Sequence, residues 1–67
     1  MKEKFYIIET KDINAGDILC DRFDSSDKYL VLDSTVDLML LQICSGRRVC
    51  PTPLDLVNNF LRVTNEV

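Results

Sequence analysis

The side chains able to do chemistry in this 67-residue chain are three cysteines, eleven carboxylates and eight cations, with no histidine. Without an imidazole there is no histidine general base, no Ser-His or Cys-His nucleophile pair, and no Cys₂His₂ zinc site. Cys20, Cys44 and Cys50 do not form a Cys-x₂₋₄-Cys knuckle, and a fourth thiolate is missing. A metal site is therefore not expected. A Cys44–Cys50 bridge across Ser45-Gly46 is geometrically possible. In a reducing compartment all three are instead expected to be free thiols, acting as small buried hydrophobes. Only Gly16 and Gly46 are available as glycines, too few for a phosphate loop or a dinucleotide fingerprint. Neither cofactor nor enzymatic activity is expected.

The remaining candidates are contact residues. The chain through Asp27 carries seven acids and four bases, which accounts for the whole net charge of −3. The stretch Asp21-Arg22-Phe23-Asp24-Ser25-Ser26-Asp27 places one aromatic among acids. Read as a loop on a rigid scaffold, it makes Asp21, Phe23, Asp24 and Asp27 candidates for meeting a basic partner. The plainer alternative is a solvated acidic face with Phe23 tucked back over the end of the core. Arg47 and Arg48 follow Gly46 at a turn tip, either as a basic finger for phosphate or an acidic partner, or as two solvated arginines. Two bases release few counterions, and the chain has neither a basic stripe nor an aromatic ladder. Nucleic acid is therefore not the expected partner.

These residues must be positioned by very little structure. Residues 1–67 make one domain, and a chain of this length buries only about 60% of its unfolded surface. One core layer leaves no room for a deep enzyme pocket, although a pocket shared between subunits would escape that limit. Phe5-Tyr6-Ile7-Ile8 is a strand signal with apolar residues on both faces, as in a strand covered twice or part of a closed barrel. Asn14-Ala15-Gly16-Asp17 is a turn leading into a second strand that contains Ile18-Leu19. Pro51-Thr52-Pro53 ends the sheet. Thr52 suits an N-cap, Pro53 a first helical position, and Pro53 to Asn59 a short helix with Leu54, Val57 and Leu61 as its buried stripe. Phe60 to Thr64 alternates like a closing strand, and Asn65 to Val67 is expected to fray.

The longest apolar block, Tyr29 to Ile43, is interrupted at Asp33-Ser34-Thr35. Tyr29–Leu32 reads as a third strand. Val36–Ile43 reads as a fourth strand in preference to a helix that Ser34 or Thr35 would cap, and Val49-Cys50 as a short return strand. A three-residue connection would set Leu32 opposite Val36 and gather Leu30, Leu32, Val36, Leu38 and Leu40 on the core face. The other face would then carry Tyr29, Val31, Met39 and Leu41, too apolar to be merely solvated. Tyr29, Met39 and Leu41 thus become candidates for contact with a partner or a second copy.

The expected fold is mainly β: a small SH3-like barrel of four to five antiparallel strands with a short helical turn near the C-terminus. Leu40-Leu41-Gln42-Ile43-Cys44-Ser45-Gly46-Arg47-Arg48-Val49 and Phe60-Leu61-Arg62-Val63 resemble segments of small, mostly uncharacterised SH3-like barrel proteins of tailed bacteriophages. In those proteins a strand ends in a Gly-polar-Arg-aromatic turn and a Phe-x-x-Val strand closes the chain. Val49 departs from the pattern, where an aromatic is usual, and Arg47 stands where a small amide is commoner. The resemblance implies a phage-type accessory protein and no particular activity. Together with the contact candidates it leads to the expectation of a non-enzymatic protein-binding module that binds and modulates or inhibits a host protein. The alternatives are a nucleic-acid-binding SH3-like domain or a structural homo-oligomer. Met1-Lys2-Glu3-Lys4 precedes only four apolar residues, and no apolar run approaches the ~18 residues of a membrane span. A cytoplasmic location, with no membrane partner, is expected.

Overall fold

The computed structural model describes residues 2–35 and 38–66. The elements in order are β1 (Lys2–Ile7), a 3₁₀ turn (Thr10–Asp12), β2 (Ile18–Asp21), β3 (Asp24–Asp33), β4 (Met39–Gln42), β5 (Arg48–Val49), α1 (Pro53–Asn59) and β6 (Phe60–Glu66). All six strands belong to one antiparallel sheet in the order β1-β6-β2-β3-β4-β5. Both glycines sit where the backbone needs positive φ, Gly16 at 94° and Gly46 at 73°, a region that costs other residues steric strain. Before β2, Asn14 N donates to Asp17 Oδ2 at 2.9 Å and Asp17 N donates to Asn14 O at 3.1 Å, closing the turn.

The pairings put Leu19 opposite Tyr29 and Val31 opposite Leu40, so one sheet face gathers these four buried side chains. Ile8, Ile13 and Leu56 complete that core from the β1–β2 connection and from α1. Local chemistry delivers Leu56. Thr52 caps α1, its Oγ1 accepting from Asp55 N at 3.2 Å, with Pro53 in the first turn. Leu56 is 1% exposed, and burying a leucine fully stabilises the fold by about 1.5–3 kcal/mol. Tyr29 meets Phe60 edge-on, with ring centroids 5.0 Å apart.

The opposite face carries the row Phe5–Val63–Ile18–Leu30–Leu41–Arg48, one residue from each strand. Cys20 and Val63 are buried there, while Ile18, Leu30, Leu41 and Leu61 are half-buried. Lys28 crosses this face from β3 to β1. Its Nζ lies 3.5 Å from Glu3 Oε2 and 5.9 Å from the centroid of the Phe5 ring. Lys28 stands opposite Cys20 in the register.

Several expectations need correction. Among the described residues there are six strands, not four or five, and the sheet is open. Among the described residues no pairing joins β1 to β5, and a two-residue β5 offers little ladder with which to close a barrel. The acidic stretch is mostly not a loop, because β3 begins at Asp24 and only Arg22 and Phe23 turn. Val36 and Asp37 lie outside the described residues. The preferred strand for the following segment is found as β4, but its register differs. Leu30 faces Leu41, and a shift between Val31 and Asp33 brings Asp33 opposite Met39. This displacement exchanges the faces, so Tyr29 and Val31 enter the core and Leu32 is exposed. A longer β3–β4 connection permits it. In α1 the inward residue is Leu56, whereas Leu54 is 70% exposed. The helix passes directly into β6 at Phe60, and Leu61 falls on the far face of the sheet. Cys44 and Cys50 are exposed rather than buried. Asn65 pairs with Glu3 instead of fraying.

Candidate functional site

The β2–β3 turn is built to hold an aromatic in solvent. Asp21 Oδ1 accepts from Phe23 N at 2.9 Å, fixing the turn through a side chain two residues back. Arg22 N donates to Asn59 O at 2.9 Å, tying the turn to the end of α1. On the far side, Asp24 Oδ1 accepts from Ser26 N at 3.1 Å and Ser26 Oγ at 2.6 Å. These bonds hold the Asp24 carboxyl below its ordinary range. Phe23 is 83% exposed and does not fold back over the core. Asp21, Phe23 and Asp24 therefore form one rigid, acid-flanked aromatic tip.

Asp27 belongs to a different structure. Its Oδ2 accepts from the Tyr29 hydroxyl at 3.0 Å and its Oδ1 from Gln42 Nε2 at 2.9 Å. Gln42 Oε1 in turn accepts from Ser45 Oγ at 2.6 Å, and Cys44 Sγ lies 3.9 Å from Asp27 Oδ1. This polar clasp joins β3 to the β4–β5 turn. Burial and the neighbouring Asp27 carboxylate push the Tyr29 phenol up to about 12. Asp27 is thus a structural hub rather than a free contact. Gln42 had no marker in the chain, because its bond to Asp27 spans fifteen positions.

Tyr29, Met39 and Leu41 do not make a common surface. Tyr29 is buried at 9% exposure, and Leu41 lies on the opposite sheet face beside Arg48. Met39 borders a hollow of about 560 Å³ between the 3₁₀ turn, the β3–β4 connection, Cys50–Pro53 and α1. Ile13, Leu38 and Leu56 line it with Met39, Thr10 and Ser34 add hydroxyls, and no lining residue carries an ordinary charge. Its polar side chains are hydroxyls and the Cys50 thiol. Among the described residues no group of three or more His, Cys, Asp or Glu could hold a metal ion.

Arg47 and Arg48 are exposed, and Arg47 N donates to Ser45 Oγ at 3.2 Å. Antiparallel connectivity puts the β2–β3 and β4–β5 turns at the same end of the sheet, on either side of β3. Asp21, Phe23, Asp24, Arg47 and Arg48 therefore share that end. Lys2 and Lys4 are on β1, at the opposite sheet edge from Arg48 on β5. Arg62 is engaged with Tyr6, its guanidinium carbon 5.7 Å from the ring centroid.

No protein-family model, curated protein or solved structure matches this chain. No helix among the described residues is long and apolar enough to cross a membrane.

Proposed function

We propose that this protein is a non-enzymatic protein-binding module whose principal anchor is Phe23. The observation that carries this reading is the 83% exposure of that ring on a turn fixed from both sides. An exposed phenylalanine held rigid loses little conformational freedom on binding and presents a large apolar area. Such aromatic anchors supply much of the energy of protein interfaces. Asp21 and Asp24 beside it favour a basic rim on the partner, and Arg47 and Arg48 across β3 favour an acidic one next to it. The alternation of charge gives the interface an orientation.

The resemblance to small SH3-like phage proteins makes a host protein the partner proposed here, with modulation or inhibition of that protein as the consequence. In this reading the open sheet is a relative of the SH3-like barrel whose edges have not joined. Nucleic acid is less favoured, because Lys2 and Lys4 are separated from Arg47 and Arg48 by the width of the sheet.

The test compares immobilised wild type with Phe23→Ala in capture from host lysate, followed by affinity measurement on whatever is enriched. A buried aromatic anchor contributes about 2 kcal/mol or more, roughly a thirtyfold change in affinity. A partner held by the wild type and lost from a normally folded F23A supports the proposal. Equal capture by both proteins, or by neither, overturns it.

A further inference from the structure

β1 is the exposed long edge of the sheet. All six of its residues are exposed, including Phe5, Tyr6 and Ile7, the last at 68%. Every one of them pairs with β6 on one side, and among the described residues no strand lies on the other. The opposite edge, β5, has only two residues. A long edge strand offers a row of backbone donors and acceptors that only another strand can satisfy together. The occupant that fits this edge is read from its own side chains.

Two β1 strands related by a two-fold axis pair antiparallel and keep their faces continuous only if an odd-numbered residue meets an odd-numbered one. Centring the axis on Lys4 sets two lysines against each other, which is destabilising for directly opposed strand residues. Centring it on Phe5 removes every such clash and keeps Glu3 to Ile7 paired, whereas centring it on Tyr6 would pair only Phe5 to Ile7 of the strand. Phe5 then meets Phe5 of the second copy, Lys4 meets Tyr6, and Glu3 meets Ile7. The chain already uses these kinds of pair nearby, with Arg62 over the Tyr6 ring and Lys28 over Phe5. The row Phe5–Val63–Ile18–Leu30–Leu41 then runs on unbroken into the second copy.

We propose that β1 is a homodimerisation edge and that two copies join antiparallel about Phe5 into one continuous sheet. This is independent of the Phe23 tip, which lies on the turn between β2 and β3. A lysine at the centre of the edge thus acts as a register selector rather than as a block to pairing.

Light scattering over a concentration series tests it. The wild-type mass should rise from 7.7 kDa toward twice that value as concentration increases toward the order of 1 mM, the range of weak, small interfaces. Phe5→Lys alone and Phe5→Glu alone should each stay monomeric, because like charges meet at the axis. An equimolar mixture of the two should recover the dimer. Circular dichroism checks that each variant keeps the wild-type spectrum. A wild type that stays monomeric throughout overturns the proposal, as do single variants that dimerise like the wild type. Folded variants whose mixture remains monomeric overturn the register about Phe5. Phe23→Ala should leave the dimer intact, so loss of the host partner and loss of the dimer are read separately.

Discussion

Replacing Tyr29 by Phe removes one oxygen from the clasp that ties β3 to the β4–β5 turn. The ring keeps its edge-on contact with Phe60, so the change isolates the hydroxyl and its 3.0 Å bond to Asp27. A hydrogen bond to a charged group contributes about 1.5–3 kcal/mol. Asp27 keeps the Gln42 bond, so the lower end, near 1.5 kcal/mol, is expected at neutral pH. The proton equilibrium gives the change a second, pH-dependent signature. The phenol is raised from 10.0 to about 12 in the folded protein, chiefly because burial disfavours the phenolate, with the Asp27 carboxylate adding to it. A raised pKa means that this stabilisation is fully present below pH 10 and is lost as pH climbs through about 12. Urea denaturation of wild type and Y29F at a series of pH values measures both effects. The wild type should be the more stable at pH 7, and its advantage should shrink steadily between about pH 10 and 12 as Tyr29 ionises. Taking the difference between the two proteins cancels every contribution they share. A gap that stays constant across that range would refute the argument from burial and the Asp27 carboxylate.

Two further outcomes follow from the packing. Leu56→Ala should cost about 2–5 kcal/mol, comparable with the whole stability of a domain this small, and so unfold much of the population. Leu54→Ala, two positions away and exposed, should stay within about 0.5 kcal/mol, and thermal melts compare the pair. Native protein should react rapidly with iodoacetamide at Cys44 and Cys50 and slowly at Cys20, where burial raises the thiol pKa. Mass spectrometry counts the labels, and fast alkylation of all three thiols without denaturant would contradict the burial of Cys20.

Local signals carried well wherever the governing chemistry lay within a few residues. Thr52-Pro53 marked the start of α1, and Asn59 its end, because a hydroxyl acceptor and a ring-fixed φ act on their immediate neighbours. Gly16 marked the turn before β2 for the same reason. The central hairpin shows the opposite case. Its strands were legible, but its register was not, since Tyr29 and Leu30 are both credible core residues in isolation. The structure resolves them through Asp27, whose carboxylate, itself held by Gln42, accepts from the phenol at the rim and allows the ring to be buried. Phe23 shows a similar limit. Its aromatic-among-acids setting was visible, but the direction in which it points depends on Asn59 at the end of α1, far along the chain.

The sequence alone determined the coarse class of this protein: a short, mainly β chain with one capped helix, no histidine and two glycines. Those properties follow from residue identity and local conformational preference. Only the tertiary structure decided that the sheet stays open, that Tyr29 lies inside while Phe23 stands outside, and that β1 is the long exposed edge. Each of these depends on which distant strand becomes a neighbour. A one-residue difference in strand pairing reverses every side chain, and no local preference of the chain opposes that reversal.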